Sequence, residues 1–241
     1  MGTFTKSFGA AGGYVSGSKA LIDVLRVRGY SGAYTESMAP PVLTQLVAAM
    51  ASIMGIAPVA TPAKGSLTLI PSNSSSTLRP SDFADEYQHP GPAPATALPT
   101  WMNLPPQLRD GSEGLSRLRR LAFNSRYLAC ALKKLGFITY GHPSSPIVPL
   151  LVFNPGKLCM FHRMMKDRST PIVVVVVAYP ATPLMSGRVR FCLSASHTKE
   201  DVDVVLKACD EVGDVLDLKH GTGERWPLQE IINRSVELVH Q

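Results

Sequence analysis

The sequence predicts a mixed α/β chain, and three observations lead there. Hydrophobic residues make up 45% of the 241 positions and charged residues 17%. That is enough apolar material for one sizeable core or two small ones, and too much for a chain disordered throughout. Between residues 147 and 216, short apolar runs alternate with segments of helical period, the pattern of packed strand and helix layers. Two longer helix-period segments precede them, each closed by a glycine.

The first of these helices opens at Pro40–Pro41. Val42, Leu43, Leu46, Val47, Met50, Ile53 and Met54 recur at i, i+3/i+4 spacing, and Gly55 ends it. Residues 58–112 follow, with Pro58, Pro62, Pro71, Pro80, Pro90, Pro92, Pro94, Pro99, Pro105 and Pro106, half of the chain's 20 prolines. Each proline removes a backbone donor and biases its predecessor away from helix. This stretch reads as a flexible insertion that neither pairs into a sheet nor holds a helix. Leu115, Leu118, Leu121, Ala122, Tyr127, Leu128 and Leu132 then mark a second amphipathic helix, which stops at Gly136.

Beyond it, Ile147–Phe153 reads as a strand and Gly156–Lys166 as a helix. Ile172–Ala178 holds five successive valines between Pro171 and Pro180. β-Branching stiffens χ1 and favours extended backbone, so a buried strand is expected there. Arg188–Leu193 is a further strand, and a last helix spans about Lys199 to Leu216. Its entry, Thr198-Lys199-Glu200-Asp201, resembles a capping box. The expected organisation is residues 1–57, the insertion 58–112, a small domain 113–220 and an amphipathic tail 221–241.

The net charge is 24 − 18 = +6. Arg117, Arg119, Arg120, Arg126, Lys133 and Lys134 form the densest basic stretch, but they are spaced around a helix like a solvated face. No nucleic-acid partner is expected, because such binders concentrate charge in a stripe. Cys130, Cys159, Cys192 and Cys209 lack metal-clamp spacing. They read as reduced, mostly buried thiols of a cytosol-facing protein, with no metal. No run approaches the roughly 18 apolar residues of a membrane span. Residues 1–20 carry Gly, Ser and Thr where a signal peptide would be apolar. The chain itself therefore reads as soluble.

The chemistry concentrates at the start, in Gly2-Thr3-Phe4-Thr5-Lys6-Ser7-Phe8-Gly9-Ala10-Ala11-Gly12-Gly13-Tyr14. A phosphate loop is excluded: Gly12 and Gly17 have its separation, but Ser18-Lys19-Ala20 follows instead of Lys-Ser/Thr. Gly-x-Gly-x-x-Gly is absent as well. A lysine among small residues and hydroxyls suits Schiff-base chemistry, since a flat ring can approach close to the backbone. A lysine beside glycines also suits a surface turn.

The string Thr-Phe-Thr-Lys-Ser-Phe-Gly-Ala-Ala-Gly resembles the cofactor-attachment pattern of the α-oxoamine synthase family at every position. Four more segments resemble that family in order: Tyr34-Thr35-Glu36-Ser37-Met38-Ala39-Pro40-Pro41, Gly136–Gly141 with Val148–Leu151, Tyr179–Leu184, and Arg188-Val189-Arg190-Phe191-Cys192-Leu193-Ser194-Ala195-Ser196-His197-Thr198. The resemblance covers about residues 1–57 and 114–219. It implies the C-terminal part of a fold-type I pyridoxal-phosphate-dependent transferase: the end of the large domain, then the small α+β domain. Family members condense an amino acid with an acyl-CoA and release carbon dioxide. The lysine string is most similar to members that use L-serine and a long-chain acyl-CoA.

By this resemblance Lys6 forms the Schiff base with pyridoxal 5'-phosphate and later acts as base. Thr3 contacts the cofactor phosphate, and Arg190 holds the amino-acid carboxylate through its guanidinium fork. The turn before Pro40 reaches the phosphate of a second subunit in a two-fold dimer. Glu36 departs from the Ser or Thr of several members, and a carboxylate repels a phosphate, so Thr35 and Ser37 are the candidates there. From its residue alone, Arg190 in a strand also fits an exposed or ion-paired side chain, and His197 fits a packed, hydrogen-bonded residue.

The family's cofactor-binding Asp and ring-contacting His precede the lysine, and neither is present here. The sequence therefore reads as part of a synthase subunit, inactive and aggregation-prone alone, located through its parent or partner at the cytosolic face of the endoplasmic reticulum. A synthase using glycine or another acyl-CoA, and a non-catalytic partner subunit, are the alternatives.

Overall fold

The structure is a computed structural model. It describes residues 1–30, 34, 37–57, 92–93, 98–99, 101–142 and 145–240. The chain divides into two compact units, Met1–Leu115 and Ser116–Gln241.

The first unit opens with a two-stranded antiparallel ribbon, β1 (Gly2–Thr3) and β2 (Gly13–Tyr14). Helix α1 (Lys19–Arg28) follows, capped by the Ser18 hydroxyl, which accepts from the Leu21 N–H, and ended at Gly29. It buries none of its residues. Leu21, Val24 and Leu25 form an exposed apolar stripe at i, i+3, i+4 spacing. Helix α2 (Pro40–Met54) starts at the proline pair and stops at Gly55, as the spacing predicts.

Most of the proline-rich stretch lies outside the described residues. Its described part departs from expectation in two places. Ala93 bridges Ile56 in parallel, with its N–H donating to Gly55 O at 2.8 Å. Pro105–Pro106 starts a one-turn helix α3 (Pro106–Arg109), because proline is pre-organised for the first helical position.

The second unit carries most of the core. Helix α4 (Ser112–Lys134) leads into it, burying Tyr127, Leu128, Ala131 and Leu132. Strand β3 (Ile147–Leu151), helix α5 (Pro155–Lys166), strand β4 (Val175–Val177) and strand β5 (Arg188–Cys192) follow. The sheet order is β3-β5-β4, antiparallel throughout, with Arg190 opposite Pro149 and Val175. Alternation places Val148, Leu150, Val189 and Phe191 on the core face, against Leu158, Phe161 and Met165 of α5. Helix α6 (Lys199–Val215) adds Val202, Leu206, Cys209 and Val212 to the same core.

The valine run is not a buried strand. Only Val175–Val177 pair, and β4 is a sheet edge, with Val173 81% and Val175 40% exposed. Five successive β-branched residues fix an extended backbone but cannot say which sides are covered. The thiols are all free, as expected, but not mostly buried: Cys209 is buried and Cys130 half-buried, while Cys159 and Cys192 are exposed.

The last segment folds back. Helices α7 (Leu228–Asn233) and α8 (Ser235–Val239) bury Ile231 and Leu238 in the core. Trp226 N–H donates to Lys134 O at 3.0 Å and Gly221 N–H to Gly136 O at 2.7 Å. These bonds engage carbonyls at and just beyond the C-terminal end of α4, where intrahelical donors run out. The Trp226 ring lies 4.4 Å from both Lys134 Nζ and the Arg234 guanidinium carbon. Among the described residues no helix is long and apolar enough to cross a membrane.

Candidate active site

Lys6 sits in the loop that joins β1 to β2. Phe4 N–H donates to Gly12 O at 3.0 Å, Ala10 N–H to Phe4 O at 3.0 Å, and Gly9 N–H to Lys6 O at 3.2 Å. Gly9 and Gly12 hold φ of 59° and 86°, a left-handed backbone that a side chain would strain. Phe4 packs against Phe8 and Tyr14, with ring centroids 5.3 Å away in each case. From α2, Gln45 Nε2 donates to Phe8 O at 3.2 Å and fixes the loop's far side. Lys6 is exposed, and its amine makes no hydrogen bond or ion pair with any described residue.

Thr3 ends β1, just before this loop. Its hydroxyl lies 2.9 Å from the Thr5 hydroxyl and 3.3 Å from Gly12 O, to which it can donate. Two hydroxyls therefore stand together on the lysine's own segment. Ser37 is exposed just before α2. Tyr34 is exposed too, stacked on Tyr30 with ring centroids 6.4 Å apart. Thr35 and Glu36 lie outside the described residues.

Arg190 belongs to the second unit, on the central strand and on the sheet face away from the core. It is half-buried, and its Nε is buried with no hydrogen-bond partner among the described residues. It is not an exposed strand arginine, and among the described residues it has no ion-pair partner. A buried donor left unpaired costs about 1–3 kcal/mol, so an acceptor from a ligand or a water suits this place. Arg188 shares this face. Its Nε donates to Ser186 O at 3.2 Å and its guanidinium lies 5.0 Å from the Tyr140 ring centroid. The sequence motif contained Arg188, and the period-2 alternation from Arg190 was the signal that places both on one face.

His197 is half-buried and hydrogen-bonded in this fold. Its Nδ1 accepts from Ser194 N–H at 3.2 Å, and buried Asn124 donates to its carbonyl at 2.8 Å. Thr182 Oγ1, in the loop after β4, is a further buried oxygen without a partner.

The side chains fit pyridoxal phosphate where they are present. A free, exposed primary amine suits bonding to an aldehyde carbon, and the Thr3 and Thr5 hydroxyls suit phosphate oxygens. The unpaired Arg190 Nε suits a carboxylate.

Residues 89–209 match the family described as aminotransferase class I and II. Serine palmitoyltransferase 2 of Saccharomyces cerevisiae is 41% identical over 246 residues, covering 98% of this chain and 34% of the relative. Serine palmitoyltransferase 2 of Schizosaccharomyces pombe is 43% identical, covering 92% and 28%. Human serine palmitoyltransferase 3 is 37% identical, covering 98% and 33%. This chain thus spans about a third of the length of these relatives. Among solved structures, the serine palmitoyltransferase of Sphingomonas wittichii superposes with a TM-score of 0.52 at 18% identity, over 90% of this chain and 40% of that one, a likeness of fold.

Proposed function

Because the chain belongs to the aminotransferase class I and II family, we propose that it works as part of a pyridoxal-phosphate-dependent acyltransferase, a serine palmitoyltransferase. The reaction joins L-serine to a long-chain acyl-CoA with release of carbon dioxide and free CoA, and with palmitoyl-CoA the product is 3-ketosphinganine. The observation that carries this reading is Lys6: an exposed amine, unpaired among the described residues, near two hydroxyls on a segment whose sequence resembles that around a Schiff-base lysine. The identities to serine palmitoyltransferases, at 37–43% over nearly the whole chain, support the choice of serine and a long acyl chain.

Lys6 Nζ is the attachment point and, once free, the base that accepts the proton of the serine α-carbon. The Thr3 hydroxyl would hold the cofactor phosphate, with Thr35 and Ser37 serving the phosphate of a second subunit across a two-fold interface. Arg190 fixes the serine carboxylate in its fork, which orients the α-carbon bond to be broken. Pro149 and Val175 flank Arg190 in register on the neighbouring strands. Pyridoxal phosphate, when bound, supplies the electron sink for the carbanion. The assembly works at the cytosolic face of the endoplasmic reticulum.

Replacing Lys6 by Ala in the holoenzyme containing this chain tests the reading. Loss of 3-ketosphinganine synthesis with the chain still folded and incorporated is expected. Turnover at the wild-type rate overturns it.

A further inference from the structure

Arg188 and Arg190 are two residues apart on β5, so their side chains leave the same face of the sheet about 7 Å apart along the strand. Both are half-buried, and among the described residues neither has a carboxylate partner. Opposite Arg188 lie Leu151 and Val177; opposite Arg190 lie Pro149 and Val175. Two uncompensated like charges among apolar neighbours repel each other more strongly than they would in open water. A bound anion offsets that repulsion.

The two side chains are held differently. Arg188 is tied down, its Nε–H given to Ser186 O at 3.2 Å and its guanidinium plane attracted to the Tyr140 ring at 5.0 Å. Arg190 keeps a buried, unpaired Nε–H. The first is placed to supply charge without contact, the second to make contact.

We propose that Arg188 is a positioning residue of the carboxylate site, a second cation held beside Arg190 by Tyr140, which raises affinity for the amino-acid substrate through its field. The proposal rests on the reading of Arg190 as the carboxylate holder. It deepens that reading by naming what keeps the site selective for an anionic substrate.

The test uses the holoenzyme, with the L-serine Kd measured by calorimetry beside steady-state kinetics. Arg188→Gln is expected to raise the serine Kd and KM about tenfold, the effect of one partly screened charge at this distance, while kcat and the acyl-CoA KM stay within about twofold. Arg188→Lys keeps the charge and is expected to restore the Kd to within about threefold of wild type. Tyr140→Phe keeps the ring and the affinity, whereas Tyr140→Leu frees the guanidinium and raises the Kd about threefold. A serine Kd unchanged in Arg188→Gln overturns the proposal, as does a fall in kcat with Kd unchanged. If Arg188→Gln does not fold, Tyr140→Leu decides, and an unchanged Kd there overturns it equally. Unchanged serine binding in Arg190→Gln overturns the underlying reading of Arg190 instead.

Discussion

The Tyr127 hydroxyl donates to Asp203 Oδ1 at 2.6 Å, tying α4 to α6 across the core. Lys199 completes the arrangement, 2.7 Å from Asp203 Oδ2 and 5.4 Å from the Tyr127 ring centroid. Burial first, and the bond to Asp203 second, push the phenol well above its ordinary value. Above about pH 10 the unfolded chain loses this proton while the folded chain keeps it. The contribution is therefore whole below about pH 10 and lost as pH rises beyond it. Tyr127→Phe should cost about 1–2 kcal/mol at neutral pH and flatten the alkaline fall in stability, read from urea midpoints over a pH series.

Thr198 and Asp201 form a reciprocal box at the start of α6. Thr198 N–H donates to Asp201 Oδ2 at 2.8 Å, and Asp201 N–H to Thr198 Oγ1 at 3.3 Å. Thr198→Ala should lower stability by about 1 kcal/mol in denaturant unfolding, and Thr198→Ser should recover most of it. The Thr198 N–H holds the Asp201 carboxyl below its ordinary value. Its contribution is present above about pH 4 and lost as pH falls through the lowered value, so Asp201→Asn should weaken the acid dependence.

Gly213 lies in α6 beneath Phe137. A Cβ there would fall 2.4 Å from Phe137 Cζ, inside the buried core. The ring cannot retreat without moving its neighbours, so Gly213→Ala should destabilise by about 1–3 kcal/mol despite alanine's better helix propensity. A thermal midpoint at or above wild type would contradict this packing.

Exposure separates the thiols. A short treatment with iodoacetamide should modify Cys159 and Cys192 first. Burial raises the Cys130 and Cys209 thiols and slows both. Peptide mass mapping reads the order, and early labelling of Cys209 would contradict the core described above.

Legibility in the sequence followed how local each cause is. Helix α2 could be read because Pro40–Pro41 and Gly55 bound its apolar period, and α6 because Thr198 and Asp201 sit three residues apart. Helix α1 was not read, although Ser18, Gly29 and the spacing of Leu21, Val24 and Leu25 carried its signal; the glycines and serines before it masked its start. The exposure of Val173 depends on which strands flank β4, a non-local fact. Among the candidate site residues, the resemblance pointed to Lys6, Thr3 and Arg190. It could not show that, among the described residues, the Lys6 amine is unpaired and the Arg190 Nε is buried without an acceptor, because both follow from packing.

The most direct test of the central claim is chemical trapping of the lysine. The holoenzyme containing this chain, loaded with pyridoxal phosphate, is reduced with borohydride, digested and mapped by mass spectrometry. The account predicts one reduced pyridoxyl mark, on Lys6, and none in Lys6→Ala. A mark on a different lysine, or no mark in a loaded enzyme, would contradict it.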